Sequence, residues 1–318
     1  MEIIITGAAG FLGQRLARAL LNSSMVFDTL LLVDVVLPVS PLKDNKVKCL
    51  QQDLSKEAAV KSIVTHQTGI VFHLAAVVSS HAEKDFDLGW KVNLDITRQL
   101  LEACRHQKNG ILFVFASSLA VYGGDLPTVV DEYTAVNPHS SYGTQKAISE
   151  LLVNDYTRKN FIDGRVLRLP TICVRPGRPN LAASSFVSSI IREPLNGEEA
   201  ICPVSPDLSL WLCSPNTVIE NIMLASTLNG NAFGNWRTVN LPGISVSVKQ
   251  MIDSLEHLSG KETVSKIKFK PDESIRSIVS SWPGLLDNKR ALQIGFKVDG
   301  PFEDFITQYI TDQQQQRR

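Results

Sequence analysis

The 318-residue chain is poor in cysteine, net charge and long apolar runs, and each shortage excludes something. Its five cysteines, Cys49, Cys104, Cys173, Cys202 and Cys213, are scattered, form no Cys-x-x-Cys pair and are odd in number. That pattern argues against a disulfide framework and for reduced thiols in a cytoplasm. Lys plus Arg and Asp plus Glu both total 32, so the formal net charge is zero. Electrostatic binding to nucleic acid or to a membrane surface is therefore not expected. No apolar run approaches the ~20 residues that cross a bilayer. The six histidines form no His-x-x-His or His/Glu cluster, so no metal site is expected. With a first strand starting almost at Met1, no signal peptide is expected. There is no internal repeat. The one biased segment is the tail Gln313-Gln-Gln-Gln-Arg-Arg318, expected to fray.

What remains is an ordinary globular composition, 44% hydrophobic and 20% charged, with enough chain for a large core. Short β-branched runs alternate with helical periodicity. Strands are predicted at 2–6, 29–34, 46–50, 70–74, 111–116 and 164–170, and helices at about 55–66, 90–106, 142–159 and 248–258. Apolar strands alternating with helices predict an α/β fold: a Rossmann-type, doubly wound parallel sheet covered on both faces. After residue 170 the texture changes to a polar, proline-rich loop and mixed short elements. A dinucleotide-binding domain over 1–170 and a smaller C-terminal lobe over 171–318 are expected, with some segments of the lobe returning to the large domain.

The first strand runs into Thr6-Gly7-Ala8-Ala9-Gly10-Phe11-Leu12-Gly13. A strand-to-helix turn needs glycine where the backbone folds tightly and where amides approach a pyrophosphate, and the helix N-terminus adds partial positive charge. Asp34 ends the next strand, 21 residues after Gly13. A carboxylate there accepts from adenosine ribose hydroxyls and repels a 2′-phosphate, which favours NAD over NADP. Asp53, followed by Leu54, is read either as a partner of the adenine amino group or as a helix cap. Leu74, Ala75 and Ala76 end the fourth strand, and the two alanines let backbone lie against the dinucleotide. His73 beside them reads as a scaffold residue.

Tyr142 and Lys146 stand four apart on a predicted helix, on one face. An ammonium beside a phenol favours the phenolate and brings a group of pKa about 10 nearer to neutral use as a base. Ser118 closes the fifth strand, where ligands bind in open α/β sheets. A nucleotide loop plus a tunable tyrosine points to hydride chemistry on an alcohol or ketone.

Taken together, Thr6–Gly13, Asp34, Asp53-Leu54, His73–Ala76, Asn93, Ser117-Ser118 with Val121-Tyr122-Gly123, Tyr142–Lys146 and Arg168–Thr171 resemble the extended short-chain dehydrogenase/reductase superfamily, in its NAD-dependent epimerase/dehydratase group. The resemblance covers about the first 175 residues. It implies that Tyr142 is the proton acceptor, that Lys146 holds the nicotinamide ribose and lowers the tyrosine pKa, and that Ser118 binds the reacting oxygen. It places Asn93, which steadies the active-site helix, with the cofactor-binding residues, and sets Pro170 and Thr171 along the nicotinamide. Helix pairing into a homodimer is also implied.

The segments 175–180, 184–186, 191–199 and 210–215 resemble a branch of that family that oxidises the C2 hydroxyl of a four-carbon sugar acid with NAD⁺. Such a substrate needs a cation for its carboxylate. Arg175, Arg178 and Arg192 are the candidates, with Arg178 and Asn180 preferred on loop position, and Ser79 and Ser80 are candidates for the hydroxyls. The alternatives are a nucleotide-sugar epimerase or dehydratase, and a non-catalytic dinucleotide sensor. Ser118-Leu119-Ala120-Val121 lacks the acidic pair usual in dehydratases, and a sensor would tend to have lost the tyrosine or lysine.

Overall fold

The computed structural model describes residues 1–107, 110–177 and 181–316. Twelve strands occur among them. They are β1 (Glu2–Thr6), β2 (Thr29–Asp34), β3 (Val47–Gln51), β4 (Thr68–His73), β5 (Leu112–Ser118), β6 (Asp163–Leu169), β7 (Thr171–Ile172), β8 (Ala200–Cys202), β9 (Ser209–Cys213), β10 (Thr238–Asn240), β11 (Ile244–Ser247) and β12 (Ile267–Phe269). Seven form one parallel sheet in the order β10-β6-β5-β4-β1-β2-β3. The order reverses between β1 and β4, and the crevice at that switch point is where doubly wound sheets take ligands.

The period-2 geometry of a strand explains why β1 is apolar throughout. Ile3 and Ile5 enter one core, with Val114 and Leu167, while Ile4 enters the other, with Phe113 and Phe115. The first core is roofed by helices Phe11–Leu21 and Pro215–Thr227, and the second by Glu57–Ile63, Ile96–Gln107 and Ser141–Arg158. Each fully buried Leu or Ile contributes about 1.5–3 kcal/mol.

Pro170 ends the last long strand. With no N–H to donate, it cannot continue the ladder, and the chain crosses at once into β7 of a second sheet, β11-β9-β7. That sheet, the pair β12-β8 and helices Ser185–Leu195, Val248–Ser259 and Phe302–Gln316 enclose a separate core. Residues 215–241 return to the large sheet: their helix packs on Phe11–Leu21, and β10 adds its seventh strand.

Two local expectations differ from the structure. The helix predicted over 90–106 begins as a π turn, Trp90–Asp95, before regular helix at Ile96–Gln107. The tail expected to fray at Gln313 continues the last helix to Gln316, in keeping with the good helix propensity of glutamine.

Candidate active site

The strand ends at the switch point open into a cleft. Its wall includes Gly7, Gly10, Phe11, Leu12, Gly13, Leu74 and Ala76 on one side, and Ser118, Tyr142 and Lys146 on another. Pro170, Thr171, Ser79, Arg175, Ser184 and Trp282 complete it. A larger cavity of about 720 Å³ lies beyond the start of helix Phe11–Leu21 and shares Gly10 and Phe11. It contains none of Ser118, Tyr142 and Lys146, so size does not locate the chemistry.

The glycine loop is built by contact. Gly7 has φ +73°, and a Cβ there would stand 2.7 Å from the Ala75 amide nitrogen. A Cβ on Gly13 would collide with the Gly7 carbonyl. Only glycine permits this triple approach of loop, helix and strand end. The helix that follows starts at Gly10 with no side-chain cap, so its first amides remain free for an anion. The Asp34 carboxylate accepts from the Ala9 amide at 3.0 Å, which fixes it beside the loop. These features fit a dinucleotide.

Tyr142 and Lys146 lie on helix Ser141–Arg158, one turn apart. The Ser140 hydroxyl caps that helix by accepting from the Gly143 amide at 3.1 Å. Gly143 is obligatory for close packing, since a Cβ would meet the Ala120 carbonyl. Ser118 Oγ accepts from the Ala120 amide at 3.1 Å.

The electrostatics depart from the expectation that Lys146 lowers the tyrosine pKa. Tyr142 keeps part of its surface open to the cleft, yet burial pushes its phenol up to about 12, against the opposing pull of Ser118. Burial also draws Lys146 down to about 7, with Glu150 working the other way. The lysine Nζ donates to the Ala116 carbonyl at 2.8 Å and lies 5.7 Å from the Tyr142 ring centroid. A lysine only partly protonated near neutrality is weak support for a phenolate, so within the protein alone burial outweighs the ion.

Behind the cleft, the buried Glu150 carboxylate accepts from Arg168 Nη2 at 2.6 Å and from the Ser117 hydroxyl at 2.5 Å. Arg168 also donates to the Tyr122 hydroxyl. His73 is fully engaged: Nδ1 lies 2.7 Å from the Thr6 hydroxyl and Nε2 2.9 Å from the Thr97 hydroxyl. Since Thr97 donates to the Asn93 carbonyl, it accepts from Nε2–H, and Nδ1 accepts from Thr6. Burial, and then Lys146, depress this imidazole to about 3. It is neutral scaffold.

Several expected residues lie elsewhere. Asn93 is buried off the cleft, its side chain joined to both backbone groups of Val77 and to Gln145 Oε1 at 2.7 Å. It holds the residue before Lys146, with both amide hydrogens used, and does not line the cleft. Asp53 is exposed; the Ser55 side chain and then the Ser55 amide, at 3.0 Å, lower its pKa, and it is not the helix cap, because the next helix, Glu57–Ile63, has Lys56 at that position. Leu54 turns its side chain into the core, leaving only its backbone for a ligand. Ser79 reaches the cleft while its Oγ accepts from the Ala183 amide at 3.0 Å; Ser80 is not part of the wall. Arg192 is not a clamp, because Glu193 neutralises it at 2.6 Å and its Nη1 donates to the Arg175 carbonyl at 2.7 Å. Arg178 and Asn180 lie outside the described residues. Ser184 falls in the segment 184–186 noted above but was not named as a site residue, and Trp282 had no sequence signal, since it belongs to no spaced motif.

The profile of the NAD dependent epimerase/dehydratase family matches residues 3–211. The chain belongs to that family. Its cofactor is accordingly NAD. The chain is 53% identical over 311 residues to the D-erythronate dehydrogenase of Haemophilus influenzae, covering 98% of this chain and 99% of the relative. It is 48% identical over 320 residues to the D-erythronate dehydrogenase of Cupriavidus necator, covering 98% of each. Among solved structures, a nucleoside-diphosphate-sugar epimerase from Agrobacterium tumefaciens superposes with a TM-score of 0.91 at 39% identity, over 98% of this family member and 94% of that chain. The L-threonine 3-dehydrogenase of Trypanosoma brucei gives 0.86 at 25%, over 96% and 94%. No helix among the described residues is long and apolar enough to cross a membrane.

Proposed function

We propose that the protein oxidises the C2 hydroxyl of D-erythronate to the 2-keto acid. The observation that carries this reading is the meeting of Tyr142, Lys146 and Ser118 in the same cleft as the glycine loop; the two D-erythronate dehydrogenases supply the substrate. When bound, NAD⁺ supplies the hydride acceptor and a positive charge. Tyr142 takes the hydroxyl proton. Ser118 holds the same oxygen as charge develops on it, its acceptor side already occupied by the Ala120 amide and its hydroxyl hydrogen left to donate. Lys146 uses one N–H on Ala116 and, as the ammonium, has two left for ribose hydroxyls. Gly7, Gly10, Phe11, Leu12 and Gly13 hold the pyrophosphate, Asp34 the adenosine ribose, and Leu74–Ala76, Pro170 and Thr171 flank the remainder.

The test is absorbance at the NADH band with NAD⁺ and a panel of four-carbon sugar acids, D-erythronate and L-threonate included. NADH formation with D-erythronate is the expected result. Turnover of a different acid alone removes the substrate from the reading and keeps the hydride chemistry. The epimerase similarity motivates the second reading, for which NADH would not accumulate and a nucleotide sugar would be converted instead.

We also propose a cytoplasmic homodimer paired through helices Ile96–Gln107 and Ser141–Arg158. Leu151 is 57% exposed on the second of these, and light scattering of the eluted protein at twice 35.0 kDa is the expected outcome.

A further inference from the structure

Among the residues that line the cleft, two are cationic, Lys146 and Arg175, and none of the described ones is acidic. Such a cleft favours an anionic ligand. The two cations differ in how they are engaged. Lys146 is tied to the Ala116 carbonyl and lies under the Tyr142 ring. Arg175 has no carboxylate partner among the described residues, although Arg168 and Arg192 nearby each have one.

Arg175 is nevertheless held firmly. Its amide donates to Ser188 Oγ at 3.0 Å, and its carbonyl accepts from Arg192 Nη1 at 2.7 Å. Both anchors belong to helix Ser185–Leu195 of the lobe. Arg192, pinned by Glu193, thus fixes the backbone of the residue next to the chemistry without meeting the ligand. Burial and the neighbouring Arg192 charge lower the Arg175 pKa, but a guanidinium does not lose its proton in a protein. The positive charge stays, and no carboxylate among the described residues balances it.

We infer that Arg175 is the specificity-determining residue that clamps the substrate carboxylate, with Arg192 as its positioning residue. The inference rests on the sugar-acid reading above and deepens it. The cofactor's pyrophosphate is the other oxyanion in reach of the cleft, but the uncapped helix start at Gly10 already offers it free amides. Among the described residues the substrate carboxylate would otherwise have no cation of its own. A planar fork matches a carboxylate in two parallel hydrogen bonds, which lysine does not reproduce.

The experiment compares wild type with Arg175→Gln and Arg175→Lys. Three quantities are read: KM and kcat for D-erythronate, calorimetric affinity of the NADH complex for D-erythronate, and NAD affinity. Arg175→Gln is expected to raise KM and weaken D-erythronate binding by about 10- to 100-fold. NAD affinity and the melting temperature should hold, and Arg175→Lys should recover part of the loss. The neutral amide of erythronate should bind both proteins alike, a readout that general damage to the fold would not spare. Unchanged KM in Arg175→Gln, or a loss confined to NAD affinity, overturns the clamp while leaving the reaction intact. Arg175-dependent binding of D-erythronate without turnover overturns the reaction and keeps the clamp. Neither binding nor turnover in wild type overturns both.

Discussion

The two walls of the cleft are assembled differently. The wall proposed for the cofactor comes mostly from residues 7–146, at strand ends of the large sheet, with its chemistry in short motifs such as Gly7–Gly13 and Tyr142–Lys146. The substrate wall gathers Ser79, Arg175, Ser184 and Trp282, the last of them more than a hundred positions beyond the crossing at Pro170. One wall is coded by spacing, because a strand-to-helix turn and a helical face are local geometries. The other exists only once the lobe has packed. Its arginines make the point: for Arg175 and Arg192, only their partners separate the proposed clamp from the scaffold.

Four substitutions test this contrast, from the largest effect to the smallest. Tyr142→Phe should lower kcat by about 10²- to 10⁴-fold with NAD affinity retained; turnover near wild type would remove the tyrosine from the chemistry and dissolve the cofactor wall as described. Glu150→Ala strips the partner from buried Arg168 and should cost about 3–5 kcal/mol in a denaturant titration. A loss below 1 kcal/mol would show that the pair is not what supports the strand ends.

Gly7→Ala forces a side chain into φ +73° and against Ala75. The strain of about 1–3 kcal/mol should appear as weaker NAD binding, read by fluorescence titration, with D-erythronate recognition on the opposite wall spared. Equal damage to both would mean the walls are not separable.

The smallest effect, taken per pH unit, comes from His73. His73 is depressed to about 3 in the fold from 6.5. Below 6.5 the unfolded chain takes up a proton that the folded chain refuses until about pH 3, so the folded state is destabilised as pH falls through that window. The slope from this one group is up to about 1.4 kcal/mol per pH unit. His73→Asn should remove that contribution, so the stability difference between the two proteins should narrow on acidification. A constant difference from pH 7 to 4 would mean that His73 takes up its proton in the fold as readily as in the unfolded chain.

The sequence by itself determined the doubly wound architecture, the glycine loop, the Tyr142–Lys146 face and the position of Ser118. Each follows from a period of 2 or 3.6 residues, or from a backbone conformation only glycine permits. Reading Asn93 with the cofactor residues, and Arg178 with Asn180 as the preferred clamp, relied on motif order and loop position, neither of which says where a side chain points. Only the tertiary structure decided that Asn93 holds Gln145, that Arg192 supports Arg175, and that Trp282 reaches the cleft. It also decided the proton balance. Spacing places an ammonium near a phenol, but the desolvation that sets Tyr142 to about 12 and Lys146 to about 7 comes from everything packed around them.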